Sequence, residues 1–370
     1  MTNKPLEIFS IELELAPYKF DLWNEFTNSG KFKITAFFTE EKNYEKDASH
    51  NYLSFPKASF IFSVESGRTI RSKLYSVYFI LKNILKPKYD YVYISGYNHF
   101  VTFSSVLLCV LLRKKFFMKT DLIVFRKGKY IKNLIKKNIL KSAHRSLVCN
   151  LLFSDQKFIE RQTNIFQFPY YVSTQRLLDD EPKNKPSWLN DLFNKDKIII
   201  FISSRLIPRK GCNILLKAFN KLEKRNNAVL LVEGDGSEYG SLNEFIQNND
   251  LNDYVKLLGF SQYKMHSWLI RNSDIVVVPS HEDNWGIVVD EGLKLNKMVI
   301  STYATGSAVT LIENGVNGYL YKSSNFRELT KLMDQCISKA RSNKGDPPKV
   351  NLSLEIKLSN KFHQNLIAPS

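Results

Sequence analysis

The sequence has few of the residues that stabilise small extracellular folds. Only 4 of its 370 residues are cysteine, and they lie far apart with no Cys-x-x-Cys pair. This spacing excludes a disulfide-stapled domain, so we expect reduced structural thiols at Cys109, Cys149, Cys212 and Cys336. Glycine (15) and proline (12) are also sparse, which excludes collagen-like and low-complexity classes. The composition therefore predicts a globular protein, and the length predicts two domains.

A long hydrophobic run is also missing. The longest apolar stretch, residues 100–112, contains polar residues and ends at Arg113, Lys114 and Lys115. A bilayer needs about 20 apolar residues, so this stretch predicts a buried helix and not an anchor. The first residues lack the apolar core of a secretory signal. These features favour a cytoplasmic location.

Acidic residues are scarce beside basic ones, since 36 Asp and Glu stand against 53 Lys and Arg, a net charge of +17. The excess is concentrated: residues 113–145 hold twelve basic residues and the single acid Asp121. Apolar residues recur among these lysines at helical spacing, which predicts a basic amphipathic helix over about 128–142. Its apolar positions are Ile131, Leu134, Ile135 and Ile139.

A basic amphipathic helix suits an anionic membrane surface, so we expect peripheral membrane contact through residues 113–145. A solvated helix face is the alternative. Nucleic acid is the other common polyanion, but the sequence has no zinc-finger spacing, no RNP pattern and no recognisable helix-turn-helix. We therefore expect no nucleic-acid partner.

Short apolar runs alternate with helix-length segments along the chain, which is typical of βαβ units and parallel sheets. A polar, proline-bounded stretch at 179–186 indicates a linker. The fold class predicted is α/β, with a doubly wound domain over 1–178, a linker over 179–195, a second such domain over 196–350 and a tail over 351–370 that could return to the first domain. Strands are expected at 7–12, 33–39, 59–64, 91–95, 116–120, 146–149, 198–203, 228–233, 255–258, 274–279 and 298–302.

Residues that follow the second-half strands are candidates for a site, because open parallel sheets bind ligands beyond the carboxyl ends of their strands. Arg205 and Lys210 follow the strand at 198–203. A guanidinium and an ammonium held at a strand end can clamp a diphosphate. Two solvated loop cations are the alternative.

Glycines follow the next two strands. Gly234 and Gly236 come after 228–233, where they allow close backbone approach or form a tight turn. Gly259 and Phe260 come after 255–258, where an exposed backbone and an aromatic ring could flank a planar base.

The most informative segment is 279–300, in which an acidic loop leads into an apolar helix that opens near Gly286. Glu291 lies inside that helix, and a buried carboxylate needs hydrogen-bond donors, which sugar or ribose hydroxyls would supply. Asp283 lies eight residues earlier, so both acids can face one site beside a helix N-terminus, which attracts phosphate. A capping acid plus a salt-bridged helix acid is the alternative.

Together these motifs resemble the retaining nucleotide-sugar glycosyltransferases of family four, over residues 196–322. Residues 205–211 resemble the family's arginine and lysine loop, 234–236 its glycine turn, 279–292 its PSxxExFGxxxxEA segment and 306–320 its glycine-containing stretch. The resemblance implies the GT-B fold, with two facing Rossmann-like domains and a cleft between them. The sequence departs from the family pattern at Asp283, Gly292, Ser307 and Thr310.

The resemblance also implies roles for single residues. Arg205 and Lys210 would bind the donor diphosphate, while Asp283 would orient the sugar. Glu291 would hold the ribose, and His99, after the strand at 91–95, could bind donor sugar or acceptor or be structural. Further donor-binding positions are Gly234, Gly236, Gly259, Phe260, Asn284, Trp285, Gly286 and Ile287. Neither a metal nor a cofactor is expected.

The implied reaction moves a sugar from a nucleoside diphosphate to an acceptor hydroxyl with retained configuration. The expected acceptor is a glycan or a polyprenyl-diphosphate-linked saccharide at the inner membrane face, in bacterial polysaccharide or lipopolysaccharide assembly. Two alternatives stay open. One is a catalytically silent subunit that binds a lipid-linked glycan or a partner enzyme, and the other is a nucleotide-sugar epimerase of the same fold.

Overall fold

The computed structural model describes residues 4–14, 16–40, 59–62, 69–178, 182, 185–194, 197–342, 360 and 364. The chain divides into two compact units between Tyr171 and Val172. The sequence places the end of the first domain later, at 178. The difference has a packing cause, because Val172 and Leu177 lie in a core cluster of the second unit. The predicted tail at 351–370 lies outside the described residues, apart from 360 and 364.

The first unit is built on a seven-stranded sheet with the order β3-β2-β1-β4-β5-β6-β7, and its paired strands are parallel. Its strands are β1 Leu6–Glu14, β2 Phe32–Glu40, β3 Ser59–Phe62, β4 Tyr91–Ser95, β5 Phe116–Thr120, β6 Arg145–Val148 and β7 Ile165–Gln167. Its helices are α1 Pro17–Asn28, α2 Ile70–Ile84, α3 Phe100–Leu111, α4 Tyr130–Ser142 and α5 Gln156–Ile159.

The second unit is built on a six-stranded parallel sheet with the order β10-β9-β8-β11-β12-β13. Its strands are β8 Ile198–Ser203, β9 Ala228–Glu233, β10 Val255–Gly259, β11 Ile275–Val278, β12 Met298–Thr302 and β13 Gly318–Tyr321. Its helices are α6 Thr174–Leu177, α7 Ser187–Asn194, α8 Cys212–Asn220, α9 Tyr239–Asn248, α10 Tyr263–Asn272, α11 Ile287–Lys294, α12 Gly306–Leu311 and α13 Phe326–Ser342.

Both sheets have the strand order of a doubly wound nucleotide-binding fold. In each sheet the first strand of the unit lies between the second and the fourth, so the order reverses between β1 and β4 and between β8 and β11. The central strands are buried because helices cover both faces of such a sheet. The predicted α/β fold class is confirmed, and the reversal between β8 and β11 marks where a ligand would bind in the second unit.

The predicted helix at 100–112 is present, but it is not the buried helix that the sequence indicates. Helix α3 buries Val101 and Cys109 against the sheet, whereas Leu107 and Leu111 are 47% and 78% exposed. Helix α3 is therefore apolar both on the face that packs against the sheet and on the opposite, exposed face. None of the described helices is both long and apolar enough to cross a membrane.

The four cysteines are free and buried, which confirms that they are structural thiols. Burial raises the pKa of the Cys109 thiol to about 12 and that of Cys212 to about 11. Both thiols are therefore protonated near neutral pH and serve as small apolar side chains.

Helix α11 contains a buried ion pair that also contacts Val172, the first residue of the second unit. The Lys294 ammonium lies 3.7 Å from the Asp290 carboxylate, and both side chains are fully buried. The same ammonium donates to the carbonyl of Val172 at 2.5 Å. Because Val172 begins the second unit, Lys294 fixes the point where the chain enters this core.

We expect Lys294→Met to lower the free energy of unfolding by about 3–5 kcal/mol, since it removes the ammonium that pairs with the buried Asp290 carboxylate. The measurement is urea unfolding followed by tryptophan fluorescence. The matched control is the double variant Asp290→Leu with Lys294→Met, which should recover most of the loss because no charge is left unpaired. A single variant as stable as the parent protein would contradict the role of this pair.

Candidate functional site

The loops that follow β8 and β11 touch each other where the strand order reverses. Gly211, with a φ of 69°, lies so close to the loop after β11 that an added Cβ would be 2.2 Å from the Pro279 carbonyl oxygen. The His281 N–H donates to the Arg209 carbonyl at 2.8 Å, and the Arg209 guanidinium donates to the Glu282 carbonyl at 3.0 Å. The two loops are thus held together largely by their backbones.

This contact brings two of the predicted site residues together. The Lys210 ammonium donates to a carboxylate oxygen of Asp283 at 2.5 Å, and the two side chains are only 13% and 14% exposed. The backbone of Asp283 is fixed as well, since its N–H donates to Ala304 and its carbonyl accepts from Gly306, each at 3.0 Å. The sequence predicts that Lys210 and Asp283 each face a ligand, and the structure adds that they pair with each other.

Arg205 lies in the same loop as Lys210 but in a different setting. Its side chain is exposed, and it makes no ion pair or hydrogen bond with the residues that the structure describes. A guanidinium on a strand-end loop without an internal partner keeps its five N–H donors for an anionic ligand.

Glycines bring the loops after β8, β9 and β10 into contact. An added Cβ at Gly234 would lie 1.8 Å from the Ser204 carbonyl oxygen, and one at Gly236 would lie 2.4 Å from that of Leu206. The Gly234 N–H donates to the Gly259 carbonyl at 2.8 Å. The predicted close approach at these glycines is therefore a contact between neighbouring loops. Phe260, directly after Gly259, is 74% exposed.

The start of α11 is fixed by the loop after β12. Gly286 precedes the helix with a φ of 81°, and an added Cβ there would lie 2.5 Å from the Thr305 methyl group. The Ser307 hydroxyl oxygen lies 2.5 and 2.8 Å from the carbonyl oxygens of Trp285 and Gly286, so its single O–H is shared between them. Ser307 departs from the family pattern in the sequence, and these bonds give it a local function.

The predicted ligand-binding residues at 284–287 differ in exposure. Asn284, Gly286 and Ile287 are half-buried at the start of α11. The Trp285 side chain is 1% exposed, so it belongs to the interior of the second unit and does not line a surface. We correct its expected role accordingly: Trp285 acts through its carbonyl, which holds Ser307.

Glu291 is buried, as the sequence predicts, but its partner in the structure is a side chain that the sequence analysis missed. His266, on α10, lies between two carboxylates: its Nδ1 is 2.5 Å from Glu233 and its Nε2 is 2.9 Å from Glu291. The available signal was an acid, Glu233, at the end of the otherwise apolar strand AVLLVE.

The contacts within this cluster shift the pKa of His266 and that of Glu291 in opposite directions. Burial alone would lower the pKa of His266, but Glu233 and then Glu291 outweigh it and raise that pKa well above its ordinary value. Burial would raise the pKa of Glu291, but His266 outweighs it with help from Arg176 and Lys294, so that pKa is lowered. An imidazolium between two carboxylates follows.

His99 lies in the first unit, whereas every other predicted site residue lies in the second. It precedes α3 at the helix N-cap position, is exposed, and makes no capping hydrogen bond with its side chain. The structure thus brings together the strand-end residues of the second sheet and leaves His99 as a separate prediction.

We expect Gly234→Ala to destabilise the second unit by about 2 kcal/mol or more, because the new methyl group would overlap the Ser204 carbonyl at a φ that side chains rarely adopt. The measurement is denaturant unfolding. Gly240→Ala is the matched control, since nothing lies within 4 Å of an added Cβ there. Equal stability of the two variants would refute close loop packing at Gly234.

Comparison with known proteins bears on the family and the fold. Residues 185–345 match the family model described as glycosyl transferases group 1. An uncharacterized glycosyltransferase of Methanocaldococcus jannaschii is 27% identical over 176 residues, which are 45% of this chain and 48% of that protein. The N-acetyl-alpha-D-glucosaminyl L-malate synthase of Bacillus anthracis is 25% identical over 219 residues, or 59% of this chain and 55% of that protein. The chain thus matches about half the length of these curated relatives.

Solved structures extend the likeness to both units. The Anabaena protein HepE, solved in complex with UDP and glucose, has a TM-score of 0.68 at 17% identity, covering 97% of this chain and 100% of that one. A glycosyltransferase from Rickettsia africae has a TM-score of 0.69 at 18% identity, covering 99% and 100%. The chain therefore has the GT-B fold, and its residues 185–345 match the glycosyl transferases group 1 family model.

Proposed function

We propose that this protein is a retaining glycosyltransferase that moves a sugar from a nucleoside-diphosphate sugar to an acceptor hydroxyl. The observation that carries the proposal is the pair that Lys210, in the loop after β8, makes with Asp283, in the loop after β11, with exposed Arg205 on the same loop as Lys210, all within the residues that match the glycosyl transferases group 1 model. Two cations and one carboxylate suit a ligand that has both a diphosphate and sugar hydroxyls.

The main catalytic contribution in this proposal is stabilisation of the leaving diphosphate. Negative charge grows on that group as the sugar departs, so cations held beside it bind the transition state more tightly than the ground state. Arg205 has its donors free for this role. Lys210 has three N–H donors and uses one on Asp283, which leaves others for phosphate oxygens. The N-terminus of α11 adds a favourable dipole.

The carboxylates position the donor in this proposal. Asp283 accepts hydrogen bonds from sugar hydroxyls while Lys210 holds its other side, and Glu291 accepts from the ribose. We assign neither residue a proton-transfer step and propose no protein nucleophile, no metal and no cofactor. Positioning of the reacting groups and charge stabilisation then provide the rate enhancement.

The donor nucleotide is proposed from the relatives. HepE is solved with UDP and with glucose, and a relative from Bacillus anthracis is named for an N-acetyl-glucosaminyl product. We therefore propose a uridine diphosphate sugar as the first donor to test. Comparing donor turnover with and without acceptor separates transfer from epimerisation, because only an epimerase converts the donor alone into its epimer.

We expect Arg205→Ala to lower the rate of sugar transfer about 100- to 1000-fold, the usual loss when one donor to a developing anion is removed. The assay is release of nucleoside diphosphate from a panel of nucleotide sugars. Lys217→Ala, an exposed cation on α8, is the control for loss of one positive charge. Parental turnover in the Arg205 variant would refute the diphosphate role.

The first unit supports a proposal about the acceptor. Helix α4 buries Ile139 and Leu140, but its Tyr130, Ile131 and Leu134 are 85%, 75% and 59% exposed. No acidic residue occurs in this helix. We propose that this apolar face, with its exposed lysines, rests on an anionic membrane at the inner face, where a lipid-linked glycan acceptor of polysaccharide assembly is found.

Not every basic residue of 113–145 is available for such contact. Lys119 and Arg145 are buried, and Lys136 turns inward to donate to the carbonyls of Leu122 and Val124 at 3.3 Å. The exposed basic residues are Arg113, Lys115, Arg126, Lys127, Lys129, Lys132, Lys137 and Lys141.

We expect reversal of Lys127, Lys132 and Lys137 to Glu to weaken binding to vesicles of phosphatidylglycerol and phosphatidylcholine about 100-fold or more, at roughly 1 kcal/mol per basic residue. The measurement is vesicle sedimentation at low salt. Reversal of Lys217, Lys221 and Lys331 in the second unit gives the same charge change and should leave binding intact. Equal loss in both variants would mean that only net charge matters and would refute this surface.

A further inference from the structure

Three buried ionisable side chains meet in the second unit, and only Glu291 has a place in the proposed reaction. Glu233 is the last residue of β9, His266 lies in the first turns of α10, and Glu291 lies in α11. Their relative exposures are 3%, 9% and 3%. We call Glu233, His266 and Glu291 the buried triad.

The geometry of the buried triad fits a protonated imidazole between two carboxylates. A neutral imidazole has a single N–H, so it could donate to only one of two carboxylates. Here both ring nitrogens lie within hydrogen-bond distance of a carboxylate oxygen, at 2.5 Å for Glu233 and 2.9 Å for Glu291. The imidazolium donates to both, which satisfies each of its N–H groups in a buried place.

The other groups around His266 fit this state. Tyr263, one turn earlier on α10, and Phe201 of β8 face the imidazole with ring centroids at 5.7 and 5.8 Å. The Arg176 guanidinium of α6 lies 3.8 Å from the Tyr263 ring centroid, and Arg176 and Lys294 both lower the pKa of Glu291. The cations therefore act mainly on Glu291, while Glu233 compensates the positive charge of His266.

The contact with His266 also decides which part of Glu291 meets a ligand. His266 binds Oε2 of Glu291 and leaves Oε1. Among the described residues, Oε1 of Glu233 accepts no hydrogen bond, and Oε2 of the same carboxylate contacts His266. Glu233 therefore acts on the site only through the imidazole.

We propose that Glu233 and His266 are positioning residues: they hold the Glu291 carboxylate in one orientation, ionised, so that its free oxygen accepts the ribose hydroxyls of the donor. This inference rests on the proposed function, in which Glu291 contacts the ribose. It assigns a purpose to two buried residues that do not themselves touch the donor.

The inference predicts how donor binding depends on pH. Because the pKa of His266 is raised, the imidazolium persists below and through the ordinary titration range of histidine, and the triad is lost only as the pH rises through the raised value. Glu233 is the larger of the two raising influences. Removing its charge must lower the pKa of His266 and move the loss of the triad to lower pH.

The experiment measures UDP binding by calorimetry from pH 5.5 to 9.5 in the parent protein, in Glu233→Gln and in Glu244→Gln. Glu244 is an exposed acid on α9, so its variant controls for the loss of one negative charge. We expect Glu233→Gln to bind like the parent at pH 5.5 and to lose about tenfold or more in affinity by pH 8, the size of a one-unit pKa shift. The Glu244 variant should follow the parent.

His266→Gln is the second variant, and it should weaken UDP binding at every pH and abolish the alkaline loss. The positioning role would be overturned if UDP affinity of the Glu233→Gln variant depended on pH in the same way as that of the parent, whether the affinities were equal or uniformly lower. If UDP, GDP and ADP all fail to bind the parent protein, the proposed function is wrong, and Glu233 and His266 then have no bound donor to position.

A readout without nucleotide separates the two failures. In protein with isotope-labelled histidine, the imidazole NMR signal that is missing from the His266→Gln variant identifies His266 among the 6 histidines. We expect that signal to stay constant from pH 5.5 to 8 in the parent and to titrate in Glu233→Gln. A parent signal that titrates at the ordinary histidine value would overturn the triad even if nucleotide binding is normal.

Discussion

Backbone contact between strand-end loops is the constraint on which the second unit's site depends. Glycine alone permits these contacts, since an added Cβ would lie 2.2 Å from a carbonyl oxygen at Gly211 and 1.8 Å from one at Gly234. The loops after β8 and β11 then lie close enough for Lys210 to reach Asp283. A side chain at Gly211 would separate the loops after β8 and β11 and, with them, the charges of Lys210 and Asp283, whereas one at Gly234 would separate the loops after β8 and β9. The electrostatics of the site therefore follow from its backbone packing.

Most of the fold could be predicted because strands buried on both faces read as nearly continuous apolar runs. The predicted bounds of β4, β5, β8, β9 and β12 coincide with those of the structure. Shorter elements were missed: β7, Ile165–Gln167, is only half-buried and has no apolar run to mark it. The division between the two units at Val172 could not be predicted from composition either, because it depends on the core into which this residue packs.

The site could be predicted only to the level of loops. Strand-end position is a local property, so Arg205, Lys210 and Asp283 could be named as candidates from their places in the sequence. Pairing is not local: Lys210 and Asp283 are 73 residues apart, and His266 is 33 residues from Glu233. The sequence indicates that a buried Glu291 needs donors, but a ligand and a histidine satisfy that need equally well. The structure shows that one of its oxygens is already taken by His266.

Helical periodicity is equally ambiguous in the first unit, because it indicates an apolar face without saying what covers it. In α4 the same pattern includes buried Ile139 and, at 75% exposure, Ile131. Exposed apolar surface is unfavourable by roughly 25 cal/mol for each Å² that burial would remove from water, so an apolar face of this kind favours a partner. The charges of α4 then indicate which kind of partner fits. A helix with lysines and without acids repels basic surfaces and attracts anionic ones, which is why we propose an anionic membrane as the partner of its apolar face.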